Sequence, residues 1–160
     1  MSDRCWLMKT EPETFGFAHL MSRPNRTEPW DGVRNYTARN LMRDEMAVGD
    51  DVFIYHSRSA PPHVAGIARV AGPARPDPSQ FDPTSKYFDP KATPAAPRWV
   101  LVDVQAVAWL ERPVTLPELK ALPAFADMMV VKKGQRLSIQ PVGRVHFDAL
   151  IALSQQPPAS

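Results

Sequence analysis

The chain has 160 residues, of which 44% are hydrophobic and 22% charged, a composition typical of a single globular domain. Its formal net charge of +2 permits a polyanionic partner but does not require one. The single cysteine, Cys5, excludes an intramolecular disulfide and indicates a reducing compartment. No apolar run approaches the ~18 residues of a membrane span, and the first residues lead into no secretory signal. We therefore expect one cytoplasmic domain over residues 1–160 with no membrane contact.

The first half of the chain predicts short elements of both kinds, because 18 prolines argue against long helices. An apolar run predicts a buried strand at residues 5–8, and short helices are predicted at 15–21 and 36–46. Two β-rich runs, at 51–56 and 64–70, predict a hairpin-like pair of strands.

The second half continues the mixed pattern. Alternating apolar residues predict the clearest strand at 99–107. Thr115 and Glu118 have the spacing of a capping box that begins a helix toward residue 122. A strand at 137–140, a helix at 145–153 and a frayed tail at 154–160 complete an α+β domain with its core at about 5–153.

Residues 71–98 contain seven prolines and little regular pattern. A segment of that length in a compact domain is typically either disordered or functional. Its aromatic residues Phe81, Tyr87 and Phe88 are unusual for a disordered linker, so we expect an ordered loop that wraps across the domain. A proline-stiffened loop that serves only packing is the alternative.

Patterns typical of catalysis are not found. The histidines at 19, 56, 63 and 146 lack metal-ligand spacing, and one cysteine cannot supply a zinc site. Neither a glycine-rich phosphate loop nor a nucleophile elbow is present. The sequence therefore predicts no catalytic residue, no metal and no cofactor, while leaving an enzyme open as an alternative.

A helix that begins at residue 36 would place several polar side chains on one stripe of its surface. Tyr36, Arg39, Asn40 and Arg43 fall at helical spacing, and apolar residues fall on the other side. A ring that stacks, an amide that reads a base edge and guanidinium groups that hold phosphates suit a nucleotide. A plain solvated helix face is the alternative.

Two further segments change abruptly from apolar to polar character. Trp30 comes directly before the polar helix with Asp31 and Gly32, where it either lines a pocket or plugs the core. His56 and Ser57 end a predicted strand and could face a mouth beside the end of the first strand, although a structural histidine is the commoner case.

These residues belong to motifs whose order and spacing resemble the EVE domain family over nearly the whole chain, from about residue 5 to 153. The motifs are WLMKTEP at 6–12, WDGVRNY at 30–36, ARN at 38–40, GD at 49–50, YHS at 55–57, VAGIA at 64–68, DP at 77–78, FDP at 81–83, YFDPK at 87–91, PRW at 97–99, VDV at 102–104, PVTL at 113–116, ELK at 118–120 and RLSIQPV at 136–142.

The resemblance implies a PUA-like fold, a curved, barrel-like sheet flanked by short helices, related to the YTH domains that read methylated adenine in RNA. It implies that Trp30 is the stacking wall of a base pocket and that Lys9, Thr10 and Glu11 contact the base edge. Tyr87 or Phe88 is the candidate for a second aromatic wall. With the residues identified above, the predicted pocket is completed by Asp31, Gly32, Asn35, Tyr36, Arg39, Asn40, His56 and Ser57.

The function implied is recognition of a modified base, above all modified cytosine in DNA, flipped into an aromatic pocket without catalysis. A methyl mark contributes only ~1 kcal/mol, so phosphate contacts would be needed for affinity. The candidates for them are Arg34, Arg43, Lys132, Lys133 and Arg136. An RNA reader of the same type and, from another class, a small-molecule enzyme using His56 with Asp31 or Asp103 are the alternatives.

Overall fold

A computed structural model describes residues 4–158. The first three residues, part of the segment considered for a secretory signal, and the last two residues of the predicted tail lie outside the described range. Eight strands are formed: β1 (Cys5–Thr10), β2 (Thr27–Pro29), β3 (Asp51–His56), β4 (His63–Val70), β5 (Arg75–Pro76), β6 (Val100–Leu101), β7 (Asp103–Thr115) and β8 (Ile139–Val142).

The helices are short. They are α1 (Pro12–Phe15), α2 (Phe17–Ser22), α3 (Tyr36–Asn40), α4 (Leu116–Ala121) and α5 (Arg144–Ser154). A π-helical turn, Leu41–Glu45, continues α3. 3-10 turns lie at Pro24–Arg26, Pro78–Phe81, Pro123–Phe125 and Met129–Val131. No helix in the part of the chain described here has the length and apolar character to cross a bilayer.

Six strands form one curled sheet in the order β2-β7-β4-β3-β1-β8, and β5 pairs with β6 separately. Within residues 4–158, β1 and β3 are the one parallel pair, and the other pairs are antiparallel. The curled sheet with a few short flanking helices confirms the predicted α+β architecture.

Both faces of β1 and β3 are covered, which explains why these two strands are largely continuous apolar runs. Trp6 and Met8 point into one core cluster, which α2 and α3 cover. Leu7 points to the opposite face, where Phe53 stacks on Phe147 of α5 with ring centroids 3.8 Å apart.

Several predicted elements have different limits in the structure. The helix predicted at 15–21 is two helices, because Gly16 is extended (φ −93°, ψ 179°) and interrupts the turn. The strand predicted at 99–107 breaks at Val102, so that β6 pairs with β5 while β7 continues to Thr115 in the main sheet. The short edge strand β2 was not predicted.

The start of α4 follows the predicted cap. The hydroxyl Oγ1 of Thr115 accepts a hydrogen bond from the backbone N–H of Glu118 at 3.2 Å. The carboxylate of Glu118 forms a largely buried ion pair with Arg112 (Nη1–Oε1 2.7 Å). The capping spacing therefore marked the first residue of α4 correctly.

Residues 71–98 pack against the domain through buried polar side chains. Asp77 and Gln80 are fully buried. The Gln80 amide donates to the carbonyls of Asp77 and Trp99 and accepts from the backbone N–H groups of Arg98 and Trp99. One side chain thus ties the start of this segment to its end.

Candidate functional site

A cavity of about 820 Å³ opens where the end of β1 meets the segment after β2 and the tip of the long loop. Three separate parts of the chain thus contribute side chains to one cavity. It is lined by Lys9, Thr10, Glu11, Thr14, Phe15, Glu28, Pro29, Trp30, Asp31, Gly32, Val33, Arg34, Ser57, Arg58, Lys86, Tyr87, Arg136 and Ser138.

Three aromatic side chains contribute to the cavity wall. Trp30 is fixed by its backbone N–H, which donates to the carbonyl of Val102 at 2.9 Å. Its indole is only 9% exposed, and it meets Phe15 edge to face with ring centroids 5.9 Å apart. Among the described residues, Nε1 of Trp30 has no hydrogen-bond partner, while every fully buried side-chain polar atom has one. The Nε1 edge is therefore open to solvent.

Tyr87 is the third aromatic side chain of the cavity wall, and its ring packs against Gly32. A Cβ at residue 32 would lie 2.5 Å from Cζ of Tyr87, and Gly32 has a φ of +81°. Both the close approach and the left-handed backbone require glycine here. The WDG sequence therefore lets the ring of the loop tyrosine approach the backbone two residues after Trp30.

Arg34 holds this wall together. Its guanidinium donates to the carbonyls of Tyr87 and Val33, to Oγ of Ser79 and to the carboxylate of Asp77. These bonds use all five N–H groups of the side chain. The prediction that Arg34 binds a phosphate is thus corrected: although Arg34 lines the cavity, it has no donor left for a ligand.

Asp77 is the buried counterpart of Arg34. Burial alone would raise the pKa of this carboxyl. Hydrogen bonds from Ser79, from the backbone N–H of Gly32 and from Arg34 outweigh burial and hold the pKa below its ordinary value. The carboxylate therefore stays ionised and connects the long loop to the segment that carries Trp30.

The end of β1 supplies a second polar wall. Nζ of Lys9 donates to the carbonyl of Gln135 at 3.2 Å, and burial lowers the pKa of this amine. Oγ1 of Thr10 donates to the carbonyl of Phe15 at 2.6 Å, while the Thr10 carbonyl accepts from the backbone N–H of Ser57. Glu11 forms an exposed ion pair with Arg58 (Oε1–Nε 3.3 Å).

Asp31 presents an acceptor at the rim. Partial burial, followed by repulsion from Asp77 and Glu28, raises the pKa of its carboxyl. A hydrogen bond from the backbone N–H of Asp31 itself and the positive charge of Arg34 offset only part of this rise. The cavity thus combines aromatic surface, several cations and an acceptor that could meet an amino group of a ligand.

The predicted polar stripe on α3 lies elsewhere. Asn35 caps α3 by accepting from the N–H of Ala38, and Tyr36 stacks on Trp99 with ring centroids 4.7 Å apart. Arg39 covers the Tyr36 ring and donates to the carbonyl of Arg98. The stripe exists, but it fastens the C-terminal end of the long loop and does not reach the cavity. Asn40 accepts from Arg39, and Arg43 forms a two-point ion pair with Asp44.

His56 is also outside the cavity. It is 8% exposed, and its Nε2 accepts from the backbone N–H of Phe17 at 3.0 Å. Nδ1 therefore carries the proton and donates to Nε2 of His63 at 3.0 Å, whose Nδ1 in turn faces the carbonyl of Pro61. With both ring nitrogens engaged, His56 forms no acid/base pair with Asp31 or Asp103, and the latter pairs with Arg75.

Of the remaining predicted cations, Arg136 lines the cavity, whereas Lys132 and Lys133 are exposed outside it. Within the described residues no group of three or more His, Cys, Asp and Glu could hold a metal ion.

The residues that sequence reasoning missed include Phe15, whose ring meets Trp30 in the cavity wall. Its place beside Trp30 depends on the break at Gly16, for which the glycine alone was a weak signal. The other missed lining residues are Thr14, Glu28, Pro29, Val33, Arg58, Lys86 and Ser138.

Comparison with known proteins identifies the family. The model of the EVE domain matches residues 4–153. The chain belongs to the EVE domain family. Thymocyte nuclear protein 1 of Homo sapiens is 38% identical over 170 residues, covering 96% of this chain and 75% of that protein.

Solved structures support the same assignment. The crystal structure of human THYN1 protein in complex with 5-methylcytosine-containing DNA matches with a TM-score of 0.91 and 37% identity, covering 97% of this EVE domain and 99% of that chain. The YTH domain of Zygosaccharomyces rouxii MRB1 protein, in complex with N6-methyladenosine RNA, matches with a TM-score of 0.54 at 13% identity. The match covers 99% of this chain and 88% of that chain. The second likeness is one of fold, and together they confirm the predicted PUA-like architecture.

Proposed function

We propose that this EVE domain is a non-enzymatic reader of a modified nucleic-acid base, with modified cytosine in DNA as the first candidate. The observation that carries the proposal is the cavity, in which Phe15, Trp30 and Tyr87 share one space with Lys9 and Arg136. The human THYN1 relative, which was solved with 5-methylcytosine-containing DNA, supports cytosine and DNA as the first choice.

The chemistry of the cavity suits a flipped base better than a reaction. Flipping costs a few kcal/mol, and contact with aromatic side chains returns ~1–3 kcal/mol per base. The Nε1 edge of Trp30 offers a donor, and the carboxylate of Asp31 offers an acceptor suited to an exocyclic amino group. In residues 4–158, His56 and the cavity carboxylates form no acid/base pair.

The test compares two tryptophan variants. Trp30→Ala removes the ring in the cavity, and Trp109→Ala removes a 51% exposed ring on β7 that does not line it. Binding is measured by fluorescence anisotropy with labelled oligonucleotides that carry cytosine, 5-methylcytosine or 5-hydroxymethylcytosine, in single and double strands.

The parent protein and Trp109→Ala should prefer one modified oligonucleotide, and Trp30→Ala should lose most of that preference while keeping its fold by circular dichroism. A folded Trp30→Ala protein with the parent's preference would refute the site. Matched RNA oligonucleotides test the alternative of an RNA reader, because only the 2′-OH and the thymine methyl distinguish matched RNA and DNA strands. Tighter binding of methylated RNA than of methylated DNA would reassign the polymer.

A further inference from the structure

A second cleft, of about 550 Å³, lies beside the edge strand β2 and differs in character from the cavity. It is mainly polar, and no Asp or Glu of the described residues lines it. Its lining comprises Met21, Arg23, Asn25, Arg26, Arg69, Gln105, Ala106 and Val107. Three guanidinium groups and two side-chain amides thus surround one concave surface, which we call the basic cleft.

Two of these arginines are unpaired. Within residues 4–158, the exposed guanidinium groups of Arg26 and Arg69 make no hydrogen bond or ion pair with the protein. Most other arginines, such as Arg34, Arg112 and Arg144, pair with carboxylates. Because Arg26 and Arg69 line the same cleft, both would attract an anionic ligand there.

The backbone that carries Arg26 has a fixed, uncommon conformation. Asn25 and Arg26 both have positive φ angles, 55° and 52°, which cost free energy for residues with a side chain. The carbonyl of Asn25 accepts from the hydroxyl of Thr27 and from the amide of Gln105, and the N–H of Arg26 donates to Arg23. These bonds hold Arg26 at the cleft.

Arg23 connects the basic cleft to the cavity. It lines the cleft, its Nε donates to Oε2 of Glu28 at 3.2 Å, and its guanidinium lies 5.1 Å from the ring centroid of Phe15. Glu28 and Phe15 both line the cavity. The basic cleft and the cavity therefore lie next to each other, and Arg23 with its two contacts separates them.

We propose that the basic cleft binds the phosphodiester backbone of the strand whose base enters the cavity, with Arg26 and Arg69 contacting phosphate. This inference rests on the proposed function. Guanidinium groups present a planar set of donors that matches phosphate oxygens, and the amides of Asn25 and Gln105 suit a sugar or phosphate oxygen. The continuity with the cavity places these donors beside the nucleotides that flank a flipped base.

The inference explains how the domain obtains phosphate contacts beyond those that the cavity cations could make. The cavity cations include Arg34, whose donors are all used, and Arg58, which is paired with Glu11. Phosphate contacts provide most of the sequence-independent affinity of nucleic-acid-binding proteins and make it salt-dependent. The basic cleft provides such contacts without altering which base is selected.

The experiment uses Arg26→Gln and Arg69→Gln, with Lys120→Gln as the matched control because it removes one exposed positive charge from α4, outside both concavities. Binding to 12-nucleotide single strands containing cytosine or 5-methylcytosine is measured over a series of salt concentrations. Each cleft variant should weaken binding of both strands several-fold and lower the slope of log K against log salt by about 0.7–1. The ratio between the two strands should stay at the parent's value.

The outcomes separate this inference from the function on which it rests. Cleft variants that match Lys120→Gln in affinity and slope, while the parent prefers the methylated strand, would overturn the cleft and leave the base reader intact. Weakened cleft variants of a parent that shows no preference would support the cleft and contradict the base reader. A parent that binds neither strand would overturn both.

Discussion

Gly32 links the conformation of a single residue to the shape of the cavity. Alanine at this position would strain a backbone at φ +81° by about 1–2 kcal/mol and would also push the Tyr87 ring away. We expect Gly32→Ala to lower stability and to weaken binding of a modified oligonucleotide, as measured by urea unfolding and fluorescence anisotropy.

Gly49→Ala is the control for that variant, because Gly49 has a similar φ of +93° and nothing lies within 4 Å of an added Cβ. It should lose comparable stability and keep the parent's affinity. Equal affinities of the two variants would show that the position of Tyr87 is irrelevant to binding.

His56 makes the stability of the domain depend on pH. Burial, followed by repulsion from His63, lowers the pKa of His56 from 6.5 to about 4. The unfolded chain takes up this proton below pH 6.5, whereas the folded chain does so only near pH 4. The stabilising contribution of the neutral His56 ring is thus fully present above pH 6.5. It is lost as the pH falls toward 4, which lowers the free energy of unfolding by about 3 kcal/mol.

Urea unfolding between pH 7.5 and 4 measures this loss. His56→Gln, whose amide oxygen is able to accept from Phe17, should be less stable at pH 7.5 but should lose less stability on acidification than the parent. His146→Gln, which changes a partly exposed histidine on α5, should follow the parent. An unchanged acid loss in His56→Gln would assign the pH dependence to other groups.

Among the elements, the long loop depends most on one side chain. Replacing Gln80 with alanine would leave the backbone N–H groups of Arg98 and Trp99 without their acceptor in a largely buried place. We expect Gln80→Ala to cost about 2–4 kcal/mol and to admit protease first within residues 71–98. Gln155→Ala, at an exposed position after α5, is the control.

Urea unfolding and limited proteolysis check this expectation. Because the loop carries Tyr87 to the cavity, the same variant should also weaken binding of a modified oligonucleotide. Parent-like stability and cleavage would mean that the apolar contacts of Trp99 and Ala92 hold the loop without the amide.

The α3 stripe shows why local patterns do not place side chains relative to the cavity. Helical spacing correctly grouped Tyr36 and Arg39, but spacing says nothing about which surface the stripe meets. The partner is Trp99, more than sixty residues later in the chain. Residues at the ends of β1 and around Trp30 were easier, because the resemblance supplied the long-range arrangement that periodicity lacks.

On the scale of the whole molecule, a net charge of +2 conceals a strongly uneven distribution. Most arginines are paired with carboxylates, while the unpaired ones include Arg26 and Arg69 at the basic cleft and Arg136 at the cavity. Composition alone could not reveal this, because the pairing is set by tertiary contacts such as Arg144 with Asp51. The fold class, in contrast, followed from the apolar runs and the family motifs.

The most direct test of the base-reading cavity is an NMR titration that follows the four indole N–H resonances. Nε1 of Trp6 is bonded to Asp50 and that of Trp99 to Asp89, whereas Trp109 lies on β7 outside the cavity. Addition of an oligonucleotide with 5-methylcytosine should shift the Trp30 resonance strongly, leave that of Trp109 in place, and exceed the effect of the unmethylated strand. A Trp30 resonance that stays unmoved at saturation, or moves equally with both strands, would contradict the proposed reader.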